Sequence, residues 1–433
     1  GPRDSLPPEL LAVTPRDSTL NFRGDRITFT FDEYIDDPQE LSRNLLFTPT
    51  FEVNPDIAVR GKTLTLRLRD SLLPNTTYTF NFGDAIRDLN EGNVVRNFVY
   101  TFSTGPTIDS LSLSGKVTLA ENGRIDSTLI VVLHNKLYDS AVAKERPVYI
   151  ARVDGSGSFR FRNLPKDTFA IYALGNPNFG RRYQQNELFA FSNEPVLTGL
   201  TREVTLSAFR PEQKTTSSTT TASPRPTAGN EKRLRFTTTP ASGNLDLQSD
   251  YLLNFQSPLR SFDSTKVALT ADSTFRSVAY RISLDSTRTV LRFRSQWTEG
   301  TRYNIILDRD FADDSAGRKL LKTDTLNFAT KKRSDYGELK IRIRNLDSIQ
   351  NPVLQFVQND QVVFSAPLTG GVFSTNLFNP GEYELRILAD KNKNGKWDPG
   401  QFFGEKRQAE LVTPLSRKLV VKAGLENDFD VSL

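Results

Sequence analysis

Short segments in which apolar and polar residues alternate, separated by turn residues, constrain the fold of this chain most strongly. The alternation is clear in Ile27–Phe31, Leu64–Leu68, Tyr78–Phe82 and Phe98–Phe102. A period of two matches the side chains on one face of a β-strand, and turns about every ten residues are typical of β-sandwiches. A stretch from Asp37 to Leu46 that begins with Asp-Pro predicts one short helix. The pattern therefore predicts an all-β chain.

A stretch rich in Thr, Ser and Pro divides the 433 residues into two halves of similar length. It runs from Pro211 to Asn230, and Thr215–Thr221 within it is unbroken Thr and Ser. This composition offers no apolar face to bury, so it predicts an extended linker. Each half is expected to fold by itself.

The two halves repeat the same order of residues, which indicates an internal duplication. Tyr78 is followed ten residues later by Asp88, and Tyr303 is followed ten residues later by Asp313; each Asp has a Gly four residues on. A second kind of unit follows each of these blocks. The predicted organisation is four tandem β-sandwiches, at 8–105, 109–210, 231–332 and 336–433, with the linker at 211–230.

Residues 8–105 carry a set of short motifs that together resemble the bacterial Ig-like domain of S-layer and surface proteins. These motifs are Thr14–Pro15, Phe29–Phe31, Leu73–Tyr78, Asp88 with Gly92–Asn93, and Phe102–Thr104. Residues 231–332 resemble the same domain more weakly. The resemblance implies Ig-like sandwiches in the first and third positions.

The second and fourth units share a strand that follows Asn-Leu-Pro at Asn163 and Asn-Pro-Gly at Asn379. They resemble transthyretin-like sandwiches. The opening residues, Gly1–Pro8, resemble the segment after the lipidated cysteine in an Ig-like lipoprotein family of Bacteroidota. That resemblance implies an outer-membrane lipoprotein, tethered through a cysteine upstream of this chain. Because the chain contains no Met, we expect it to lack its original start.

Composition excludes several kinds of chemistry. The chain has no Cys and a single His, so disulfides, cysteine nucleophiles and Cys/His zinc sites are excluded. A Ser-His-Asp triad would have to use His134, for which a structural role is expected. The 56 basic and 51 acidic residues are interspersed, and a nucleic-acid partner is not expected. No apolar run reaches the length of a membrane span.

The sharpest candidate site is a loop that matches the front of a calcium-binding loop. Asp390, Asn392 and Asn394 occupy positions 1, 3 and 5, the Lys396 carbonyl position 7 and Asp398 position 9. A Gln stands at position 12, where an EF-hand needs Glu, and three lysines add opposing charge. The alternative is a hairpin turn held by side-chain to backbone hydrogen bonds. The corresponding loop of the first half, 175–183, has Gly, Pro and Phe at the first three ligand positions, so no metal is expected there.

Three further features are weighed as candidates. Trp297 and Trp397 either pack in turns or form a stacking platform. The paired carboxylates Asp36–Asp37 and Asp313–Asp314 are expected to be solvated turn residues. Asp followed by Ser or Thr recurs at turns, and some of these sites resemble O-glycosylation sites of exported Bacteroidota proteins.

The sequence predicts a non-catalytic protein without a required cofactor, calcium being the one candidate. The expected function is that of an outer-membrane lipoprotein ectodomain that binds or scaffolds outer-membrane or surface proteins, as in an accessory subunit of a protein assembly or export machine. Two alternatives stay open. One is a calcium-dependent adhesin or glycan-binding module, and the other is a glycosidase with two facing carboxylates.

Overall fold

A computed structural model describes residues 5–36, 38–175, 180–212 and 232–433. Almost all of the regular structure in these ranges is β-strand, in four sandwiches that we call units 1 to 4 in chain order. The all-β multidomain prediction is confirmed. Most of the predicted linker, 213–230, lies outside the described residues.

Unit 1 pairs a four-stranded sheet, in the order β1-β2-β5-β4, with a three-stranded sheet, β3-β6-β9, and a small β7-β8 ribbon. Large aromatic residues such as Phe29, Phe80 and Tyr100 fill the space between the sheets. The predicted helix is confirmed as α1. The elements are β1 Leu10–Thr14, β2 Arg26–Phe31, α1 Pro38–Asn44, β3 Leu46–Thr48, β4 Asp56–Arg60, β5 Thr63–Arg67, β6 Thr77–Gly83, β7 Ile86–Arg87, β8 Val94–Val95 and β9 Phe98–Ser103.

Unit 2 packs a three-stranded sheet, β13-β10-β17, on a second sheet, β12-β11-β14-β15, to which β16 adds through β14. Strands β10 and β17 run parallel, and Gly115 lies where they touch, because a Cβ there would be 2.0 Å from the Val204 carbonyl oxygen. The elements are β10 Leu111–Leu119, β11 Ile130–His134, α2 Ala141–Lys144, β12 Tyr149–Arg152, β13 Ser158–Leu164, β14 Thr168–Leu174, β15 Phe189–Phe191, β16 Val196–Leu197 and β17 Glu203–Ala208.

Unit 3 repeats the plan of unit 1 with sheets β18-β20-β25-β24 and β19-β28-β26-β22-β23, and a β21-β27 ribbon. Its elements are β18 Phe236–Thr239, β19 Asn244–Leu245, β20 Tyr251–Phe255, β21 Leu259–Phe262, a 3-10 turn at Ser264–Lys266, β22 Val267–Ala271, β23 Arg276–Ser277, β24 Arg281–Leu284, β25 Val290–Arg294, β26 Arg302–Leu307, β27 Ala312–Asp314 and β28 Asp324–Thr330. A second 3-10 turn, Arg333–Asp335, leads into unit 4.

Unit 4 has the strand order of unit 2, with sheets β32-β29-β36 and β31-β30-β33-β34, and with β35 added through β33. Its elements are β29 Gly337–Arg344, β30 Pro352–Gln358, β31 Gln361–Pro367, β32 Val372–Phe378, β33 Gly381–Ala389, β34 Val412–Pro414, β35 Leu419–Val421 and β36 Glu426–Ser432. The matching strand orders of units 2 and 4 agree with the internal duplication seen in the sequence.

Candidate functional site

Units 2 and 4 share a buried core. The outer face of the β14-β15 sheet presents the rings of Tyr172, Phe189 and Phe191. Phe402 of unit 4 covers them, with ring centroids 5.5, 5.2 and 5.0 Å from these three residues. Phe402 is only 5% exposed. A cluster of large rings that excludes water is the kind of contact that stabilises an interface most.

Polar contacts surround this aromatic cluster. The Gln408 side chain donates to the Phe191 carbonyl oxygen over 2.9 Å, and the Val412 amide donates to the Ala120 carbonyl over 2.9 Å. Lys406 forms an ion pair of 2.6 Å with Asp139 of unit 2. Units 2 and 4, which we call the central pair, are therefore in direct contact across the two halves. The sequence analysis did not predict this contact, so the halves are separate in sequence but not in space.

The 390–398 loop lies beside this interface, and internal hydrogen bonds hold it. Asp390 accepts hydrogen bonds from the backbone amides of Asn394 and Gly395, at 3.2 and 2.7 Å. One oxygen of Asp398 accepts from the side-chain amides of Asn392 and Asn394, at 2.7 and 2.8 Å. The Lys396 amide donates to the Asn394 side chain. These are the bonds of the hairpin-turn alternative.

The same arrangement bears on the calcium prediction. Asn392 and Asn394 point their amide nitrogens, not their oxygens, at Asp398. Within the described residues no three Asp, Glu or His side chains converge as a metal site. Calcium would therefore require both Asn side chains to turn, because the cation accepts only oxygen ligands. Calcium binding at this loop stays a prediction.

Glu410, which sequence reasoning missed, holds the 390–398 loop in place. It is buried, and its two carboxylate oxygens accept from the backbone amides of Lys391 and Asp398, at 2.7 and 3.1 Å. Trp397 donates its indole N–H to the Glu410 carbonyl over 2.7 Å. The Trp397 ring also packs against two apolar clusters, the aromatic cluster around Phe402 and an aliphatic cluster of Val353, Leu388 and Val412. Glu410 lies 20 residues beyond Asp390, outside the motif window, so no local spacing pointed to it.

The counterpart loop of unit 2 contributes to the interface in another way. Residues 176–179 lie outside the described ranges. Beyond them, Tyr183 packs edge-on against Phe189 at 4.9 Å and against Phe403 of unit 4 at 5.0 Å. The end of this loop therefore contacts unit 4 through the ring of Tyr183.

His134 lies at the end of β11 and is buried. Its Nε2 atom has no hydrogen-bond partner within the described part of the chain, and its ring meets that of Tyr172 edge-on at 5.8 Å. Burial lowers the pKa of His134 to about 4, and the charge of Glu145 opposes that shift only in part. His134 is therefore a neutral side chain at ordinary pH.

The Asp313–Asp314 pair is not the solvated surface turn that the sequence suggested, because both residues are buried. Asp313 is bound by Ser261 and Arg260, whose hydrogen bonds lower its pKa. Asp314 accepts from the backbone amide of Arg318 at 3.0 Å and pairs with its guanidinium at 2.7 Å. The Asp313 carboxylate therefore ties β27 to β21, and the Asp314 carboxylate holds the turn that follows β27. In the other predicted pair, Asp36–Asp37, Asp37 lies outside the described residues.

Trp297 and the Asp-Ser/Thr turns have structural roles. The Trp297 indole donates to the Ser249 carbonyl over 2.8 Å, and the ring packs on Tyr303 at 5.0 Å. Asp126 and Asp272 accept from the backbone amide two residues on, at 2.9 and 2.8 Å, as Asx turns do. Glycosylation at such turns stays a prediction.

Comparison with known proteins supports the Ig-like assignment of unit 1. Residues 4–104 match the family model described as "Bacterial Ig-like domain". No curated protein matches the chain. Within the described residues, no helix is both long and apolar enough to cross a membrane.

Among solved structures, the N-terminal part of the bacterial S-layer protein SbsC is similar at 16% identity, with a TM-score of 0.18. That match covers 48% of this chain and 45% of the SbsC chain, so less than half of that structure is spanned. BcpA, the major pilin subunit of Bacillus cereus, is similar at 7% identity over 74% of this chain and 98% of its own, with a TM-score of 0.18. The Bacillus anthracis TIE protein is similar at 10% identity over 100% of this chain and 75% of its own, with a TM-score of 0.17. These similarities are too weak to carry a functional argument.

Proposed function

We propose that this chain is a non-catalytic extracytoplasmic scaffold that binds protein partners at the outer membrane. The observation that carries the proposal is the central pair. Two sandwiches from opposite halves of the chain bury an aromatic cluster against each other, and each is joined by its chain to an Ig-like or Ig-related unit. A fixed arrangement of sandwiches presents several sheet edges and end loops at set distances.

The contacts between neighbouring units support the same proposal. Unit 1 is tied to unit 2 by a hydrogen bond of 2.9 Å from the Thr50 amide to the Val148 carbonyl oxygen. Unit 3 is tied to unit 4 by a hydrogen bond of 3.0 Å from Asn379 to Asp246. Together with the central pair, these contacts link all four units. A linked array is suited to holding partner proteins in register.

The outer-membrane location rests on the resemblance of Gly1–Pro8 to lipoprotein openings and on the Ig-like match of unit 1. The tether would be a lipidated cysteine upstream of this chain. We propose that the partners are outer-membrane or surface proteins, as for an accessory subunit of an assembly or export machine.

Cross-linking in intact cells, followed by affinity purification from the outer membrane, tests the proposal. We expect defined membrane proteins to co-purify at a constant ratio to the chain. Recovery of the chain alone, or turnover of a glycan or peptide substrate by the purified protein, would contradict it.

A further inference from the structure

Strand β31 is an uncovered sheet edge. It stands at the end of the sheet order β31-β30-β33-β34, and among the described strands it pairs only with β30. Val362, Val363 and Phe364 in this strand are 45%, 50% and 41% exposed. An apolar edge with one row of free backbone groups is a template for an added strand.

The ladder shows which groups of β31 face outwards. The Leu368 amide donates to the Pro352 carbonyl oxygen over 2.9 Å, so this position faces β30. Because the hydrogen-bonding direction alternates along an antiparallel strand, Ala366 also faces β30 and Ser365 points its backbone groups outwards. Val363 is the extra residue at the irregularity between the Phe356–Phe364 and Val357–Val362 pairs. The backbone groups of Ser365 therefore lie on the free edge, and the exposed side chain of Val363 lies two residues before it.

The equivalent edge of unit 2 shows what covers such a strand. Strand β12 occupies the position of β31 in the same sheet order. A segment of unit 1 runs antiparallel along it: the Arg152 side chain bonds the Asn44 carbonyl at one end, and Arg146 bonds the Glu52 carbonyl at 3.2 Å at the other. Between them lies the bond from Thr50 to Val148. An extended polypeptide therefore accompanies this edge in the first half.

Unit 3 does not supply the corresponding cover for β31. In unit 1 the covering segment consists of β3 and the residues on either side of it, and the counterpart of β3 in unit 3 is β22. The chain turns back after β22 and pairs with it as β23, with Thr270 opposite Ser277. The segment that would have reached unit 4 is folded into a hairpin of unit 3 instead.

A cleft of about 750 Å³ adjoins the uncovered edge and continues the interface of the central pair, since Glu121 and Asn122 of unit 2 also line it. Gln355 lies in its wall, 4% exposed, and its Oε1 atom has no hydrogen-bond partner among the residues that the structure describes. A buried acceptor without a hydrogen-bond partner costs free energy, so a donor from a bound partner protein would stabilise this atom. Gln355 lies opposite Ser365 in the ladder, next to the free edge.

We propose that β31 is the docking site for an extended segment of a partner protein, which adds to the sheet as an antiparallel strand. The segment carries apolar side chains at alternate positions, against Val362 and Phe364, and a long hydrogen-bond donor side chain that enters the cleft toward Gln355. This site rests on the proposed scaffold function and gives it a specific surface.

The test uses the full chain and two fluorescently labelled peptides. One has the sequence of residues 44–53, which covers the equivalent edge of unit 2. The other alternates Gln and Val over eight residues, so that it carries both the apolar positions and the long donor side chains that the proposed segment has. Fluorescence polarisation measures binding, and hydrogen exchange locates it. We expect saturable binding of at least one peptide, with slower exchange in 361–367 and unchanged exchange in β32.

Val363→Lys places a charge on the edge and should weaken that binding at least ten-fold, while the fold, checked by circular dichroism, is retained. Leu425→Lys is the matched control, since Leu425 is an exposed apolar residue in a turn of the same unit and its replacement should leave binding unchanged.

Three results would overturn the proposal: no binding of either peptide up to millimolar concentration, equal binding by Val363→Lys, or a dimer of the chain that Val363→Lys dissociates. The last result would make a second copy the occupant. If the peptides fail while membrane proteins still co-purify with the chain, the scaffold function stands and its docking surface lies elsewhere.

Discussion

Replacing Phe402 by Ala should weaken the contact between the two halves without unfolding either of them. Phe402 belongs to unit 4, but its ring packs on three aromatic residues of unit 2 and not on the core between the sheets of unit 4. Truncation of a buried Phe costs about 3–5 kcal/mol. We take about 3 kcal/mol, because solvent can enter a cavity at an interface. This corresponds to an association about 100-fold weaker.

The assay needs the halves to be joined only by this contact. A recognition sequence for a specific protease, inserted after Thr221 in the predicted linker, allows the covalent connection to be cut. Sedimentation should then show the cleaved unsubstituted chain as one particle at micromolar concentration and the Phe402→Ala chain as two. Phe275→Ala is the control, since Phe275 is exposed in unit 3 and should leave the particle intact. Separation of the unsubstituted halves, or equal association of both proteins, would refute the reasoning.

Three further predictions concern single residues. His134 has a pKa of about 4 in the folded protein against about 6.5 when unfolded. The free energy of unfolding should therefore be full above pH 6.5 and fall by about 3 kcal/mol as the pH is lowered from 6.5 to 4. Urea unfolding of His134→Leu should lack this pH dependence, and an unchanged pH dependence would contradict the prediction. If the 390–398 loop binds calcium, a ten-fold excess of calcium over the dissociation constant should stabilise the second half by about 1.4 kcal/mol. Calorimetry should show this as a higher melting temperature, and the increase should be lost in Asp398→Asn. An unchanged melting temperature at 10 mM calcium, about ten-fold over a millimolar site, would mean that the loop is a hairpin turn without metal. Gly115→Ala should lower the free energy of unfolding by about 3 kcal/mol, because its Cβ would lie 2.0 Å from the Val204 carbonyl oxygen. Gly155→Ala is the control, since open space surrounds Gly155 and the free energy of unfolding should change little. Equal urea midpoints for the two variants would show that β10 and β17 are not in close contact.

Strands of unit 1 such as β2 and β5 could be predicted because one face is buried and the other is less buried. In β2 and β5 the side chains alternate between buried and less buried positions, which is the pattern that the sequence shows. The duplication was visible for a similar reason, since equivalent turns need equivalent residues. The helix α1 was predicted from its Asp-Pro start.

The contact between units 2 and 4 was not predicted, because it joins residues that are far apart in sequence and periodicity reports only local structure. One signal was available. Strand β14, Thr168–Leu174, is nearly continuous in apolar residues instead of alternating, and a strand of this kind is covered on both faces. The second cover over this strand is the segment that carries Phe402.

Asp313 was misjudged, and Glu410 was missed, for a related reason. Asp313 and Glu410 look like solvated surface residues in a linear sequence, yet each is stabilised inside the protein by donors that come from elsewhere. Ser261 and Arg260 bind Asp313 from a strand more than 50 positions earlier. A charge whose partners are distant in sequence cannot be recognised from its neighbours.

The scaffold account is tested most directly by the composition of the complex in its own membrane. The chain and its Phe402→Ala variant would be cross-linked in intact cells, purified from the outer membrane and quantified by mass spectrometry against Phe275→Ala. We expect the same membrane proteins at a constant ratio with the unsubstituted and Phe275→Ala chains, and a clear loss of at least one of them with Phe402→Ala at equal abundance of the chain. Absence of any partner at a constant ratio, or full retention of every partner by Phe402→Ala, would contradict the claim that the central pair sets the positions at which partners are held.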